Sequence, residues 1–370
     1  MVADPSEYGL SKQVQSAATT ASDLPYLPQL PATYRPKIGL VGAGGVSEYH
    51  LRAYGKLGLE VIVICDVDLE RARRRRDEFF PKATICSRFA EVVRRGDVEV
   101  IDVALHPEHR LAVLEAALEA RKHVLSQKPF ALDLDEAGRL ADLADARGVK
   151  LAINQNGRWA PHFAYALAAV RAGLLGEIGT VDFNLSFDHS WTIGTPFENI
   201  HHLLLYDFGV HWFDLASCFL QNREAKSVYA TVSRTAYQKA RPPFVAAAVI
   251  DGAGVQIRLA FNAAVKYGQI DRTVVAGSLG TLESSGPSLS EQKLKLSTAA
   301  GVASPELVGT WFENGFQGTM CELLCAIAEN RQPQHSARNN LRTLALCFAA
   351  LQSANSGQPV KPGEVRKLPT

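Results

Sequence analysis

A chain of 370 residues has room for roughly two domains, each large enough to bury an apolar core of its own. Its 39 Lys and Arg stand against 38 Asp and Glu, a formal net charge of +1, so no global field exists to recruit nucleic acid or an anionic membrane, and a small neutral ligand fits better. The six cysteines (Cys65, Cys86, Cys218, Cys321, Cys325, Cys347) are scattered through apolar stretches, unlike a secreted disulfide framework, and read as reduced, buried thiols.

Residues 1–33, rich in Ser, Ala and Thr and then in Pro (Pro25, Pro28, Pro31), read as an extended N-terminal arm. The segment 1–10 carries Asp4 and Glu7 and has no unbroken apolar run, and nothing later approaches the roughly 20 apolar residues of a membrane span. The expectation is a cytoplasmic, soluble protein. From 34 to 154, apolar runs at Lys37–Val41, Val61–Cys65, Val98–Leu105, His123–Ser126 and Lys150–Asn154 lack polar alternation and read as strands covered on both faces. Helical patterns at Tyr49–Leu57, Leu69–Phe79, Arg110–Ala120 and Asp135–Arg147 lie between them, which predicts a doubly wound parallel sheet, an α/β Rossmann domain.

From 155 to 370 the periodicity changes. Val181, Phe183, Leu185 and Phe187 alternate with polar residues, as do Val255, Ile257, Leu259 and Phe261, so these strands have one dry face. With further strands near Val228–Val232, Phe244–Ile250 and Thr273–Val275, they predict an α+β domain with a large, mostly antiparallel open sheet. Helices at about Leu203–Leu220, Gln317–Glu329 and Arg338–Ser353 would cover its dry face. The domain would bind substrate and mediate oligomerisation.

Gly42, Gly44 and Gly45 follow the first strand and open the first helix, the context in which a glycine turn admits a pyrophosphate to a helix N-terminus. Ser47 stands where Gly or Ala is usual. Asp66 ends the second strand, placed to accept hydrogen bonds from the ribose hydroxyls of NAD. The basic run Arg71–Arg76 raises NADP as the alternative, but a helix spreads such residues around a solvated face and Asp66 repels an added phosphate, so NAD is favoured.

Lys128, in Gln127-Lys128-Pro129, follows a strand at the edge where doubly wound sheets bind ligands. Asp207, His211 and Asp214 are spaced by four and three and share a face of the predicted helix. An imidazole with an ordinary pKa of about 6.5 suits proton exchange with an alcohol, so His211 is the candidate acid/base. Lys128 would stabilise charge on the reacting oxygen, Asp207 would bind a substrate hydroxyl, and Asp214 would orient the imidazole or make a structural hydrogen bond. His201, His202, Asp207 and His211 include metal-suited side chains, but adjacent histidines on a helix point apart, and no metal is expected.

With these motifs, with His106-Pro107-Glu108-His109, with Lys122-His123-Val124 and with the run from Asp207 to Asp214, the chain from about Tyr34 to its end resembles the glucose-fructose oxidoreductase, inositol dehydrogenase and MocA family (Gfo/Idh/MocA). The resemblance implies a catalytic set of Lys128, Asp207 and His211, with Lys128 and the His106-Pro107 turn beside the nicotinamide. It further implies a sugar, polyol or keto-sugar substrate and a homodimer or homotetramer. Two departures stand out: Gln127 replaces the usual Glu, and Asn199-Ile200-His201-His202 replaces small residues before the catalytic helix. Arg158 and Trp191 are candidate pocket residues, with core or surface packing as the equal alternative for each. Two other functions stay open: an NAD-dependent glycosidase or lyase working by transient oxidation and elimination, and a non-catalytic sensor of cofactor and sugar.

Overall fold

In a computed structural model that describes residues 17–370, the first half of the chain forms one parallel sheet. In chain order it comprises β1 (Lys37–Val41), α1 (Ser47–Lys56), β2 (Glu60–Cys65), α2 (Leu69–Phe79), β3 (Thr84–Cys86), α3 (Phe89–Val93), β4 (Val100–Val103), α4 (Pro107–Glu119), β5 (His123–Gln127), α5 (Leu134–Arg147) and β6 (Leu151–Asn154). The strand order is β3-β2-β1-β4-β5-β6, so the winding reverses between β1 and β4 and opens a crevice at their carboxyl ends. Local chemistry agrees with these bounds. Asp68 and Asp133 cap α2 and α5 by accepting backbone N–H bonds, and Gly148 ends α5 in the left-handed conformation. The sequence reading did not anticipate β3 and α3, which are too short to show a period.

The second half continues with α6 (Pro161–Arg171), β7 (Ile178–Ser186), α7 (Val210–Leu220), β8 (Ala225–Ser233), β9 (Val245–Gly252), β10 (Val255–Asn262), β11 (Ile270–Gly277), β12 (Gly280–Ser288), β13 (Glu291–Thr298), β14 (Gly301–Ala303), α8 (Trp311–Ala328) and α9 (Ala337–Ser356). Its eight strands lie in the order β14-β13-β12-β11-β7-β10-β9-β8, antiparallel except for β7 with β10. Val255, Ile257, Leu259 and Phe261 point into the core while their neighbours face outward, and α7 and α9 lie against this sheet.

Helix α8 crosses to the first half. Its Phe316, Met320, Leu323 and Leu324 are buried in one cluster with Ile38, Leu40, Leu51 and Tyr54 of the parallel sheet and α1. Lys56 meets Glu313 at 2.6 Å, and the Phe316 ring lies 5.6 Å from Tyr49 and 4.7 Å from His50. Residues 17–33 run without helix along the same chain: Thr19 N–H donates to the Val302 carbonyl (2.9 Å), and the Tyr165 hydroxyl to that of Ser22 (2.9 Å). The first 16 residues of the predicted arm lie outside the described residues. Among the described residues no helix is long and apolar enough to cross a membrane.

Candidate active site

The glycine turn sits in the crevice between β1 and β4. Gly42 has φ +104°, and a Cβ there would approach the Ala104 carbonyl to 2.6 Å, so the two loops meet only because this residue has no side chain. Ala43 N–H donates to Asp66 Oδ2 (2.7 Å) and Asp68 N–H to Oδ1 (2.9 Å), which fixes the acid at the end of β2. Ser47 is buried and its hydroxyl donates to the Gly44 carbonyl (2.6 Å), so the departure from Gly or Ala is absorbed locally. A Cβ on Gly44 or Gly45 would meet nothing within 4 Å. The space they leave belongs to a cleft of about 410 Å³ lined by Ala43, Gly44, Gly45, Arg71, Arg74, Arg75 and Glu78.

The arginine run is therefore not wholly a solvated face. Arg75 is largely covered, bonding Glu48 (3.2 Å), Glu78 (3.3 Å) and the Gly44 carbonyl (3.5 Å), while Arg71 pairs with Asp68 (3.2 Å). An open glycine cradle at a helix N-terminus, with an acid fixed at the neighbouring strand end, fits a dinucleotide. Gly44→Ala should then leave the melting temperature of the free protein unchanged. It should weaken NADH binding about ten- to a hundredfold, the effect of one misplaced methyl in a packed contact. Unaltered affinity in a fluorescence titration would remove the pyrophosphate from this turn.

Lys128 leaves β5 ahead of a cis peptide bond to Pro129, and its Nζ donates to the Asp207 carbonyl (2.8 Å) and Oδ1 (3.2 Å). The predicted helix Leu203–Leu220 is broken in two. Leu204–Phe208 form a π turn in which Gly209 N–H bonds back to the Leu204 carbonyl (2.8 Å), and α7 begins at Val210. A side chain at Gly209 would sit 2.5 Å from that carbonyl, so glycine permits the wide turn that presents Asp207 to the lysine. His211, one residue into α7, packs against the Trp311 ring (5.7 Å, perpendicular). Its Nδ1 is buried without a partner. Burial, and secondly the nearby Lys128 charge, hold the imidazole well below its ordinary pKa, so it is neutral at neutral pH. His106 is exposed at the foot of α4, with Pro107 as that helix's first residue.

The cleft placement of Asp214 and the pocket placement of Arg158 are corrected in favour of the packing alternative open for each. Asp214 does not face the cleft with His211; it is buried and meets the Arg158 Nε at 2.6 Å, with Thr343 donating to its Oδ1 (2.8 Å). Arg158 is equally buried, and its remaining donors go to the Gln334 carbonyl (2.7 Å) and Asn339 (2.8 Å), so the guanidinium is committed to the core and not to a substrate pocket. The cause is tertiary: α9 supplies Asn339 and Thr343. Trp191 is 57% exposed and touches the buried His189 ring (5.0 Å), which feels both Asp207 and Lys128. His201 and His202 both turn to Asn355 (2.9 and 2.8 Å).

Comparison with known proteins bears on this arrangement. Residues 36–155 match the model of an oxidoreductase family with an NAD-binding Rossmann fold, and residues 163–283 match the C-terminal domain of the same group. The chain belongs to the GFO/IDH/MocA family. It is an NAD-binding oxidoreductase. It is similar to a D-apiose dehydrogenase of Paraburkholderia graminis, 28% identical over 88% of this chain and 90% of the relative. In fold it is similar to an oxidoreductase from Agrobacterium radiobacter solved with NAD+, L-tartaric acid and magnesium (TM-score 0.80, 22% identity, 89% of this chain and 99% of that one). It also matches a scyllo-inositol dehydrogenase from Lactobacillus casei solved with NAD(H) and scyllo-inositol (TM-score 0.74, 20% identity, 90% and 100%).

Against the usual family Glu, Gln127 has a defined place. Its amide carbonyl accepts Lys128 N–H (2.6 Å) and its Nε2 lies 3.2 Å from His50 Nε2, which also meets Asn154 Nδ2 at 3.2 Å. On the other side His50 Nδ1 meets Asp102 at 2.7 Å, and the Tyr54 hydroxyl donates to that carboxylate (2.6 Å). This buried network under the lysine escaped the sequence reading because its members come from α1, β4, β5 and β6. His189 and Trp311 escaped it for the same reason. Arg110 did leave a signal: it falls on the apolar stripe of α4 with Val113, Leu114, Ala117 and Leu118, and is as buried as they are.

Several histidines of this family member are held neutral by burial: His162 is lowered to about 3, His189 to about 4, and His335 well below its usual value. The unfolded chain protonates these rings near pH 6.5, and the native state does not. Stability is therefore full above about pH 6.5 and declines as pH falls toward the folded values. Thermal melts should drop steadily from pH 7 to pH 5, with a shallower slope in His162→Gln; a flat profile would contradict the neutral assignment.

Proposed function

We propose that the chain is an NAD-dependent dehydrogenase or reductase that moves a hydride between the cofactor and a carbon of a sugar, polyol or keto-sugar. The observation that carries this reading is the Lys128 ammonium at the carboxyl edge of the parallel sheet, bonded to Asp207 from a distant stretch and near enough to His211 for its charge to lower the imidazole pKa. When bound, NAD would supply the hydride acceptor for an alcohol or, in its reduced form, the hydride donor for a carbonyl. Gly42, Gly44 and Gly45 would cradle its pyrophosphate, Asp66 would accept from its ribose hydroxyls, and the His106-Pro107 turn with Lys128 would lie beside the nicotinamide.

His211 Nε2, neutral in its buried setting, would take the proton of the reacting hydroxyl and return it in the reverse direction. The Lys128 ammonium would stabilise the alkoxide-like charge on the same oxygen, and Asp207 would hold that ammonium and accept a neighbouring substrate hydroxyl. The exposed face of Trp191 offers a rim on which the apolar side of a sugar ring can rest. The names of the D-apiose and scyllo-inositol relatives agree with a polyhydroxylated substrate. NAD is preferred over NADP because the charged Asp66 repels an added phosphate, while Arg71 and Arg75 are already paired.

Purified protein should change absorbance at the nicotinamide band with at least one member of a panel of polyols, aldoses and glycosides, faster with NAD than NADP. Substrate loss with no net NADH would instead support elimination after transient oxidation. Cofactor binding with no turnover of any panel member would count against an enzyme of this substrate class.

A further inference from the structure

Arg110 is 1% exposed, and among the described residues no carboxylate lies within ion-pairing distance of its guanidinium. Burying a cation without a counter-ion costs several kcal/mol, which hydrogen bonds from its donors offset. The two terminal nitrogens donate to backbone oxygens alone, while Nε is buried without a partner. One terminal nitrogen donates to the carbonyls of Gln127 and Pro129, and the other to that of Leu105, with a longer contact to the Lys128 carbonyl (3.5 Å). These oxygens belong to two strand ends: Leu105 precedes His106 after β4, and Gln127 and Pro129 flank Lys128 after β5. A planar fork with several fixed donors is suited to bridge two separate turns, whereas an ammonium is not. The cation is held so far from solvent that burial lowers its pKa to about 9.

We propose that Arg110 is a positioning residue for hydride transfer: by clamping the Leu105-His106 turn to the Gln127-Lys128-Pro129 turn, it sets the Lys128 ammonium relative to the cofactor edge. The inference rests on the role proposed above for Lys128. From the opposite side the Gln127 side chain holds Lys128 N–H and is itself held by His50, so the lysine's backbone is fixed on two flanks. The adenosine cradle at Gly44 and Asp66 lies outside this clamp. A displacement of the lysine by on the order of 1 Å costs about a hundredfold in rate without comparable loss of binding.

The test compares Arg110→Lys and the neutral, shorter Arg110→Gln with the parent and Lys128→Ala. Readouts are kcat, KM, NADH affinity by fluorescence titration, and melting temperature. The expected result is a fall in kcat of about a hundredfold in each folded Arg110 variant, with KM and NADH affinity within about threefold of the parent. A folded variant that keeps parental kcat despite a lower melting temperature assigns Arg110 to structure and overturns the proposal, as does failure of both variants to fold. If Lys128→Ala itself retains turnover, the role of Lys128 falls, an outcome distinct from loss of the clamp alone.

Discussion

Lys128→Ala and His211→Ala are each expected to lower kcat by roughly a hundred- to ten-thousandfold while NADH affinity changes little. The ammonium is held by the backbone carbonyl of Asp207 and by one of its carboxylate oxygens, at 2.8 and 3.2 Å, so it is already aimed before any substrate arrives. On its proposed role, removing it would delete the charge that favours the developing alkoxide, an interaction stronger in the transition state than in the ground state, and the loss should fall on kcat more than on KM. On the proposed roles the histidine serves the same reacting oxygen, so the double variant should be little worse than either single one. Because the His211 imidazole is kept neutral well below pH 6.5, alcohol oxidation should not decline through that pH as it would with a free imidazole. Steady-state kinetics from pH 5.5 to 8 check both points; parental turnover in both single variants would remove these residues from the chemistry.

Breaking the Arg158 and Asp214 pair should produce the largest loss of stability. Both side chains are almost fully buried (5% and 1% exposed) and the guanidinium meets the carboxylate through two bonds of 2.6 Å. Asp214→Ala strands the cation in the core, which costs about 3–5 kcal/mol, and the melting temperature should fall on the order of 10 °C. The enzyme that remains folded should keep a kcat close to the parent's, because the pair does not reach the cleft. Were Asp214 instead the orienter of His211, the same variant would melt normally and turn over slowly.

How much of this could be read from residues alone differs from place to place. Apart from the short β3, the strands of the first half were legible because parallel strands covered on both faces are unbroken apolar runs, and Gly42, Asp66 and Lys128 could be placed at their ends. Helix α6 was not, because from Pro161 to Val170 every side chain is buried and the sequence shows no polar stripe. The strands β12 to β14 were missed in a stretch rich in Gly and Ser (Gly280, Ser284, Ser285, Gly286, Ser288), residues of low strand preference. The three-and-four spacing that grouped Asp207, His211 and Asp214 assumes a regular α-helix. A π turn before Gly209 changes the register only between Asp207 and His211; Asp214 leaves the group because the partner that draws it inward lies 56 residues away in the chain. Arg158 was ambiguous for the same reason: an arginine's destination depends on acids and carbonyls that only the folded chain brings near it.

Because α8 completes the apolar floor beneath α1, the nucleotide-binding half is not a detachable unit. A fragment ending near residue 155 would leave Leu51, Tyr54 and their neighbours facing water where Phe316, Met320 and Leu323 now sit. Grafting that half onto a relative would have to carry the distal helix with it, or else matching residues on the recipient's own. The late-coming segment, synthesised more than 150 residues after α1, thus acts as a keystone. Until it has emerged, the nascent first half has an unroofed greasy trough that chaperones or aggregation can find first.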